Sequence, residues 1–558
     1  MKKYILIITT YIVALITFTS CEDIDLLPKD DLADELFWKG PSDYMKAVNL
    51  LYNRTETFDT KDTDSDIGFE LSLTDDSKIS NGTFSAPNSE DSWSHRFEDL
   101  RQCNVIIEKG ESYEGNFSEI ERYVAEARFF RAYTFWRLMK KYTDVQLITK
   151  PLSVDSPELY GSRNPQHEVE DFILSELEAI YTKLPKQSEL TANETGRITQ
   201  GAALALKARV ALYAGTWAKY HQHRADYTQL LDQAIKAAEL VIDSKEYTLF
   251  EGEGDHSYRY LFIDEGDDAP EEIFGSRYYD DIRYHGTAHS VYWGTRGTPT
   301  KKLADMYLCK TTGLPIEHSN SGFKGYEKIA DEFTDRDPRM SQTILMPGTA
   351  YKSAQDGPDI CSSAFTTRPE TRTGYKLWKF MGEVFGKQSN QSSFDYHIIR
   401  YAEVLLILAE ATFEKNGSIS DDVLNKSINV VRSRKGVEMP ALTNQFVQSN
   451  GLNMQTEIRR ERTIELAFEG FRRDDLRRWK TAEAEMKKAI MGIKYTGTEY
   501  EEQQALNDGY SGQIDANGFL VLEPEANRFF TVPKHYYYSI PLDELSLNPN
   551  LKPNNPDW

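Results

Sequence analysis

A mainly α fold, a stack of helical hairpins interrupted by one large loop-rich insertion, is what this 558-residue sequence predicts. Residues 396–413 supply the first reason. Ala402, Leu405, Leu406, Ala409 and Phe413 recur at the helical period, while Val404, Ile407 and Leu408 carry apolar surface almost around the axis. Such a helix has to lie between others. The second reason is a pair of alanine-rich segments, 202–215 and 231–242, whose small residues let two helices approach closely. Third, between residues 246 and 394 the helical stripe gives way to Gly, Pro, Asp and aromatic residues, as in Tyr278-Tyr279-Asp280-Asp281-Ile282-Arg283-Tyr284-His285-Gly286. That part reads as irregular connections rather than as regular helix or sheet.

In chain order, Lys2 and Lys3 precede an apolar run, residues 5–18, that is too short to span a bilayer comfortably and has the pattern of a cleaved signal peptide. Thr19 and Ser20 stand directly before Cys21, and the group resembles a bacterial lipobox with Phe18 where Leu is commoner. The resemblance implies a signal peptide over residues 1–20, acylation of the Cys21 thiol and amine, and a lipidated tether over residues 21–41. Each methylene such an anchor buries contributes about 0.8 kcal/mol. The competing reading is an ordinary secreted protein whose first mature cysteine is accidental. With Cys21 acylated, Cys103, Cys309 and Cys361 remain, so one bridge at most can form and stability has to come from packing.

Helical periodicity starts at residues 42–52, with Ser42 or Asp43 as the cap. It lapses over residues 56–94, which are rich in Asp, Thr, Ser and Asn, and returns at 97–107, 124–139, 169–184, 201–214 and 227–242. The alanine-rich pair resembles a tetratricopeptide unit, and segments 118–185 and 395–435 read likewise. About three such units stacked together bury a continuous face. The expected organisation is a helical region over 42–245, the insertion over 246–394 and a second helical region over 395–558, together forming one unit from 42 to 558.

The C-terminal region carries the most specific pattern. After the 396–413 run comes a segment from Ile458 to Trp479, read as a helix lying half exposed. Its apolar stripe is narrow (Ile464, Ala467, Phe468, Phe471), and Glu457, Arg460, Glu461, Arg462 and Glu465 can pair three and four residues apart. The chain closes on Asn548-Pro549-Asn550-Leu551-Lys552-Pro553-Asn554-Asn555-Pro556-Asp557-Trp558. In this order the three stretches resemble the SusD/RagB family of surface lipoproteins, although Asp557 stands where a Gly is common. The resemblance implies a tetratricopeptide-like right-handed helical superhelix whose long connections form a ligand site. It also implies attachment to the outside of the outer membrane, and a nutrient, most often an oligosaccharide, passed to a SusC-like TonB-dependent transporter. Glu22, Asp23 and Asp25 behind the lipid cysteine resemble the export signal to that outer face.

A sugar presents a flat face of C–H groups to an aromatic ring and needs Asp, Asn or Arg partners at its rim. Trp93, Tyr279, Tyr284, Tyr292, Trp293 and Trp378 fall in loop-like segments beside such residues, Arg296 among them. Each ring alone reads as a loop anchor packed on the scaffold; the alternative is two or three of them lining one pocket. By family resemblance, Asp75 and Asp76 match the stretch before the first binding loop, while Trp93 and Asn104 fall where relatives place an aromatic and a polar contact. The competing roles are a turn cap for Asp75 and a buried hydrogen-bonding side chain for Asn104.

Other functions find less support. A formal charge of −23 argues against nucleic acid as a partner. The acidic run from Asp62 to Gly68 places Ile67 and Leu73 where a calcium loop needs Gly and Glu, and it reads as a solvated loop. Glu403 and Glu410 share a face of the best-packed helix, where a structural ion pair is favoured over hydrolytic work. His221 and His223 project about 200° apart on a helix and read as surface residues. HExxH, GxSxG and GxxxxGK[ST] do not occur, and neither cofactor nor metal is expected. The leading expectation is therefore a non-catalytic nutrient-binding module. Its rivals are a surface glycoside hydrolase using carboxylates among Asp267, Asp280 and Asp281, and a tetratricopeptide adaptor that binds only protein.

Overall fold

The computed structural model describes residues 37–58, 66–69, 75–293, 297–353, 357–360, 373–382, 384–385, 391–502 and 512–558. Cys21 and Cys361 lie outside them. The principal helices are α1 (Pro41–Tyr52), α2 (Asp91–Glu111), α3 (Glu121–Tyr142), α4 (Gln166–Ile180), α5 (Gln200–His221), α6 (Tyr227–Ser244), α7 (Thr287–Trp293), α8 (Tyr401–Asn416), α9 (Met454–Glu465) and α10 (Arg472–Arg478). From α2 to α6 each helix packs on the next, α6 packs on α8, and α8 on α9. Order in space thus follows order in the chain, as in a tetratricopeptide-like stack.

Helix α5 shows why the alanines are there. It is buried from Gly201 to Ala218 because α3, α4, α6, α8 and α10 surround it. The Thr199 hydroxyl caps its start, accepting from the Ala202 N–H at 3.1 Å. At Gly215 a Cβ would come within 2.8 Å of the Leu231 side chain, so only glycine lets α6 lie this close. Helix α8 is buried almost all round, as its sequence requires, and stops at Gly417 in the left-handed region (φ +69°).

Two short strands connect this frame to the irregular part of the chain. β2 (Tyr396–Arg400) runs directly into α8 and pairs antiparallel with β1 (Glu272–Ser276), with Glu272 opposite Arg400 and Ser276 opposite Tyr396.

Several expectations need correction. Helix α2 starts at Asp91, and a short helix, Asp75–Ser80, lies inside the stretch read as irregular. The segment 458–479 is two helices, not one: α9 ends at Glu465, and positive φ angles at Phe468 (62°) and Gly470 (80°) turn the chain into α10. Nor is its charged face exposed. Glu461, Arg462 and Glu465 are buried, with partners far away in sequence that a rule of local helical spacing cannot see. Arg400 bonds Glu271 and Glu465 at 2.8 Å and Glu469 at 2.7 Å; Arg434 bonds Glu271 and Glu465; Arg339 bonds Asp337, Glu461 and Glu465. Arg432 reaches Glu461, and Lys379 reaches Glu469. Five cations here meet five carboxylates, which is how so many charges remain inside.

Asp66, read as part of a solvated loop, is likewise buried against Arg472 and Lys302. Its burial raises the carboxyl pKa, but the two cations outweigh that effect and hold it well below the usual carboxylate range. His221 is half-buried rather than free at the surface: it stacks on Trp217 with 4.1 Å between centroids, and burial lowers its pKa to about 4. Glu403 and Glu410 do form structural ion pairs. Glu403 pairs with Arg209, rather than with Arg400 one turn away, and Glu410 pairs with Arg478. Cys103 and Cys309 are both buried and unbridged.

Candidate ligand-binding site

The chain leaves β1 at Arg277 and doubles back as a tight surface hairpin. Tyr279 and Arg283 exchange backbone hydrogen bonds of 3.2 and 3.0 Å, and Asp281 takes the left-handed turn position at φ 63°. The tip shows apolar surface to solvent: Tyr279 is 51 %, Ile282 81 % and Tyr284 37 % exposed. Three apolar side chains thus stand exposed together on one turn. Polar groups stand beside them. Tyr284 Oη donates to Asp281 Oδ1 at 3.2 Å, Ser393 Oγ donates to Asp280 Oδ1 at 2.7 Å, and the Arg283 guanidinium lies 4.4 Å from the Tyr278 ring centroid.

What holds the hairpin is a buried aromatic layer. Phe58 contacts His285, Tyr396, Phe394 and Phe380 at centroid distances of 4.3, 4.9, 5.4 and 5.7 Å, and Tyr278 meets His285 edge-on at 4.7 Å. His285 and Ser392 exchange backbone hydrogen bonds of 2.9 and 3.1 Å. At the base, Arg277 pairs with Asp268, Glu272 and Asp395, and Asp267 Oδ1 accepts from the Asp395 N–H at 2.7 Å. Burial, together with the neighbouring Asp395 charge, raises the Asp267 carboxyl to about 7. The three acids a hydrolase would draw on, Asp267, Asp280 and Asp281, thus all accept structural hydrogen bonds.

The remaining sequence candidates are scattered. Tyr292, on α7, is half-buried with the Lys376 ammonium 4.7 Å from its ring centroid. Trp378, two residues beyond Lys376, is 9 % exposed and has the Arg259 guanidinium over its ring at 4.1 Å. Trp93 and Asn104 are buried, Asn104 in its competing role of a hydrogen-bonding side chain inside the helical packing. Trp93 is 3 % exposed and packs against Phe97 and Tyr142. Asn104 is 1 % exposed; it donates to the Ile148 carbonyl at 2.9 Å and accepts from Arg131 at 3.1 Å. Both lie on α2, where helical packing has absorbed them. Asp75 and Asp76 open the short helix Asp75–Ser80, with side chains outside the described residues, as are the Trp293 side chain and Arg296. Sequence reasoning missed Ile282 and the buttress Phe58, whose only signal was an isolated apolar residue entering a polar stretch.

Residues 266–558, more than half the chain, match the model of the SusD family. The chain belongs to that family. Residues 42–212 also match a family described as starch-binding and associating with the outer membrane. Among relatives, the SusD-like protein P2 of Formosa agariphila is 26 % identical over 581 aligned positions spanning all of both chains. A SusD-like carbohydrate-binding protein of Bacteroides fragilis superposes with a TM-score of 0.74 at 25 % identity, over 92 % of this chain and 100 % of its own. A laminarin-binding SusD-like protein shares the fold, with a TM-score of 0.63 at 18 % identity over 93 % of this chain and 100 % of its own. Among the described residues, no helix is long and apolar enough to cross a membrane, and no group of three His, Cys, Asp or Glu is arranged to hold a metal.

Proposed function

We propose that this protein is a receptor, lipid-anchored through Cys21 on the outside of the outer membrane. It captures an oligosaccharide and passes it, chemically unchanged, to a SusC-like TonB-dependent transporter. The observation that carries the reading is the exposed pair Tyr279 and Tyr284 on a hairpin bolted to the helical frame through β1, β2 and the Phe58 layer. Rings held in place cost little ordering entropy when a sugar stacks on them, and Asp280, Asp281 and Arg283 are the nearest hydroxyl partners. The match to a starch-binding family and the likeness to a carbohydrate-binding B. fragilis relative support a carbohydrate as the ligand class.

Capture without conversion fits the state of the hairpin acids. Asp280 and Asp281 accept from Ser393 and Tyr284, which ties both carboxylates to the hairpin's shape. Titrating the purified protein with a panel of oligosaccharides, and then chromatographing the sugars, tests the proposal. Saturable heat of binding with every sugar recovered intact is the expected result; a panel with no binder, or new shorter products, would overturn it. Transporter partnership is tested separately by affinity purification from native outer membranes, where a TonB-dependent barrel should accompany the wild-type protein.

A further inference from the structure

A second chemistry lies inside the frame, away from the hairpin. A cavity of about 130 Å³ opens between α3, α5, α8 and α10, with Tyr396 and Ile398 of β2 on one wall. By volume it has room for about four water molecules. Two of its lining groups are donors without a partner among the described residues: Tyr213 Oη and Arg462 Nη1, on side chains 4 % and 3 % exposed. The Tyr213 ring is clamped, stacked on Trp217 and edge-on to Trp136, so its hydroxyl cannot swing away to find an acceptor. Burial pushes its pKa up, and it remains a donor at any physiological pH.

Charge in the lining points the same way. The lining carries seven Lys or Arg side chains against five Asp or Glu, which leaves it two positive charges in excess. The lining groups Glu56, Lys140 and Asp474 keep 18–26 % of their side-chain surface in contact with solvent, which marks the side on which the cavity meets it. Two fixed, unpaired buried donors in a lining with excess positive charge form a site for an anion. A metal cation would meet hydrogens, and an apolar guest would leave both donors unsatisfied.

We infer that this cavity binds one small inorganic oxyanion, of the phosphate or sulfate class, as a tie between α3, α5, α9 and α10 behind β2, the strand paired with the one that leads into the hairpin. This site is independent of the glycan reading and would stand if that reading failed.

Equilibrium dialysis of the full-length protein against labelled phosphate and, separately, labelled sulfate at constant ionic strength tests it, with Tyr213→Phe and Lys140→Gln as variants. One equivalent of at least one anion should bind saturably. Tyr213→Phe keeps the ring but removes one hydrogen bond to a charged group, and should weaken binding about tenfold. Lys140→Gln, at the partly exposed mouth, should weaken it several-fold. Absence of saturable binding of both anions would mean that the cavity holds water only, and binding unchanged in Tyr213→Phe would place the anion elsewhere; either result overturns the inference. Should Tyr213→Phe melt well below wild type, Lys140→Gln decides by the same criterion.

Discussion

Replacing Arg400 by Ala removes the cation on which three acidic side chains converge. Its guanidinium bonds Glu271 and Glu465 at 2.8 Å, Glu469 at 2.7 Å, and the Glu465 carbonyl at 2.8 Å, all out of contact with water. Breaking a buried pair from one side costs about 3–5 kcal/mol. The lower end applies here, about 3 kcal/mol, because Glu271 and Glu465 keep Arg434 and Glu469 keeps Lys379. Arg400→Lys preserves the charge but cannot span three carboxylates, and should cost about 2 kcal/mol. Urea unfolding followed by far-UV circular dichroism reads both as a shift of midpoint at constant slope. The acid limb gives a second readout. Burial raises the Glu465 carboxyl, but Arg434, Arg400 and Arg339 together outweigh it and hold the pKa at about 2. A carboxyl depressed on folding contributes stability above its ordinary pKa, and that contribution is lost as pH falls toward the folded value. The gap between wild type and Arg400→Ala should therefore narrow between about pH 5 and pH 2. A loss below about 1 kcal/mol at neutral pH, or a gap that widens in acid, would refute the view that this network holds the frame together.

Other consequences are as direct. Trp93→Ala should destabilise by about 3 kcal/mol, because the ring is buried against Phe97 and Tyr142, while the glycan affinity of the folded protein stays at the wild-type value. Asp267 titrates the other way from Glu465: its carboxyl is raised on folding to about 7, so folding favours the protonated form and stability falls as pH rises from about 4 to 7. Asp267→Asn keeps the acceptor for the Asp395 N–H and should flatten that slope, raising the melting temperature at pH 8 relative to wild type; an unchanged slope would assign it to another group. Cys21→Ala should abolish incorporation of labelled palmitate and move the protein from the membrane to the soluble fraction. Persistence of label in that variant would place the lipid elsewhere.

The helical frame was legible because its signals are local. Alanines in α5 and the apolar circumference of α8 specify burial whatever lies next to them. The charged helices misled for the opposite reason. Nothing within one turn of Glu461 or Glu465 reveals that Arg339, Arg432 and Arg434 wait beside them, so a buried network reads as a solvated face. His221 was misread likewise, since Trp217 one turn back was visible but its burial was not. The hairpin at 277–285 could be picked out by composition, but composition cannot tell a ring at the tip from one in the layer beneath. Tyr279 and the adjacent Tyr278 look alike in sequence, yet one is half exposed and the other 4 % exposed. Trp93 stands out both as an aromatic beside polar residues and, like Asn104, by family position, and neither signal reveals that helix packing buries the two side chains.

Sugar affinity of wild type against the double variant Tyr279→Ala/Tyr284→Ala tests the central claim most directly, with the binding oligosaccharide titrated calorimetrically into two proteins of matched melting temperature. If the hairpin is the capture platform, each ring contributes about 1 kcal/mol or more, and the pair should weaken binding at least tenfold without altering the sugar. Equal affinity in both proteins, or a wild-type sample in which the oligosaccharide is consumed, would contradict it.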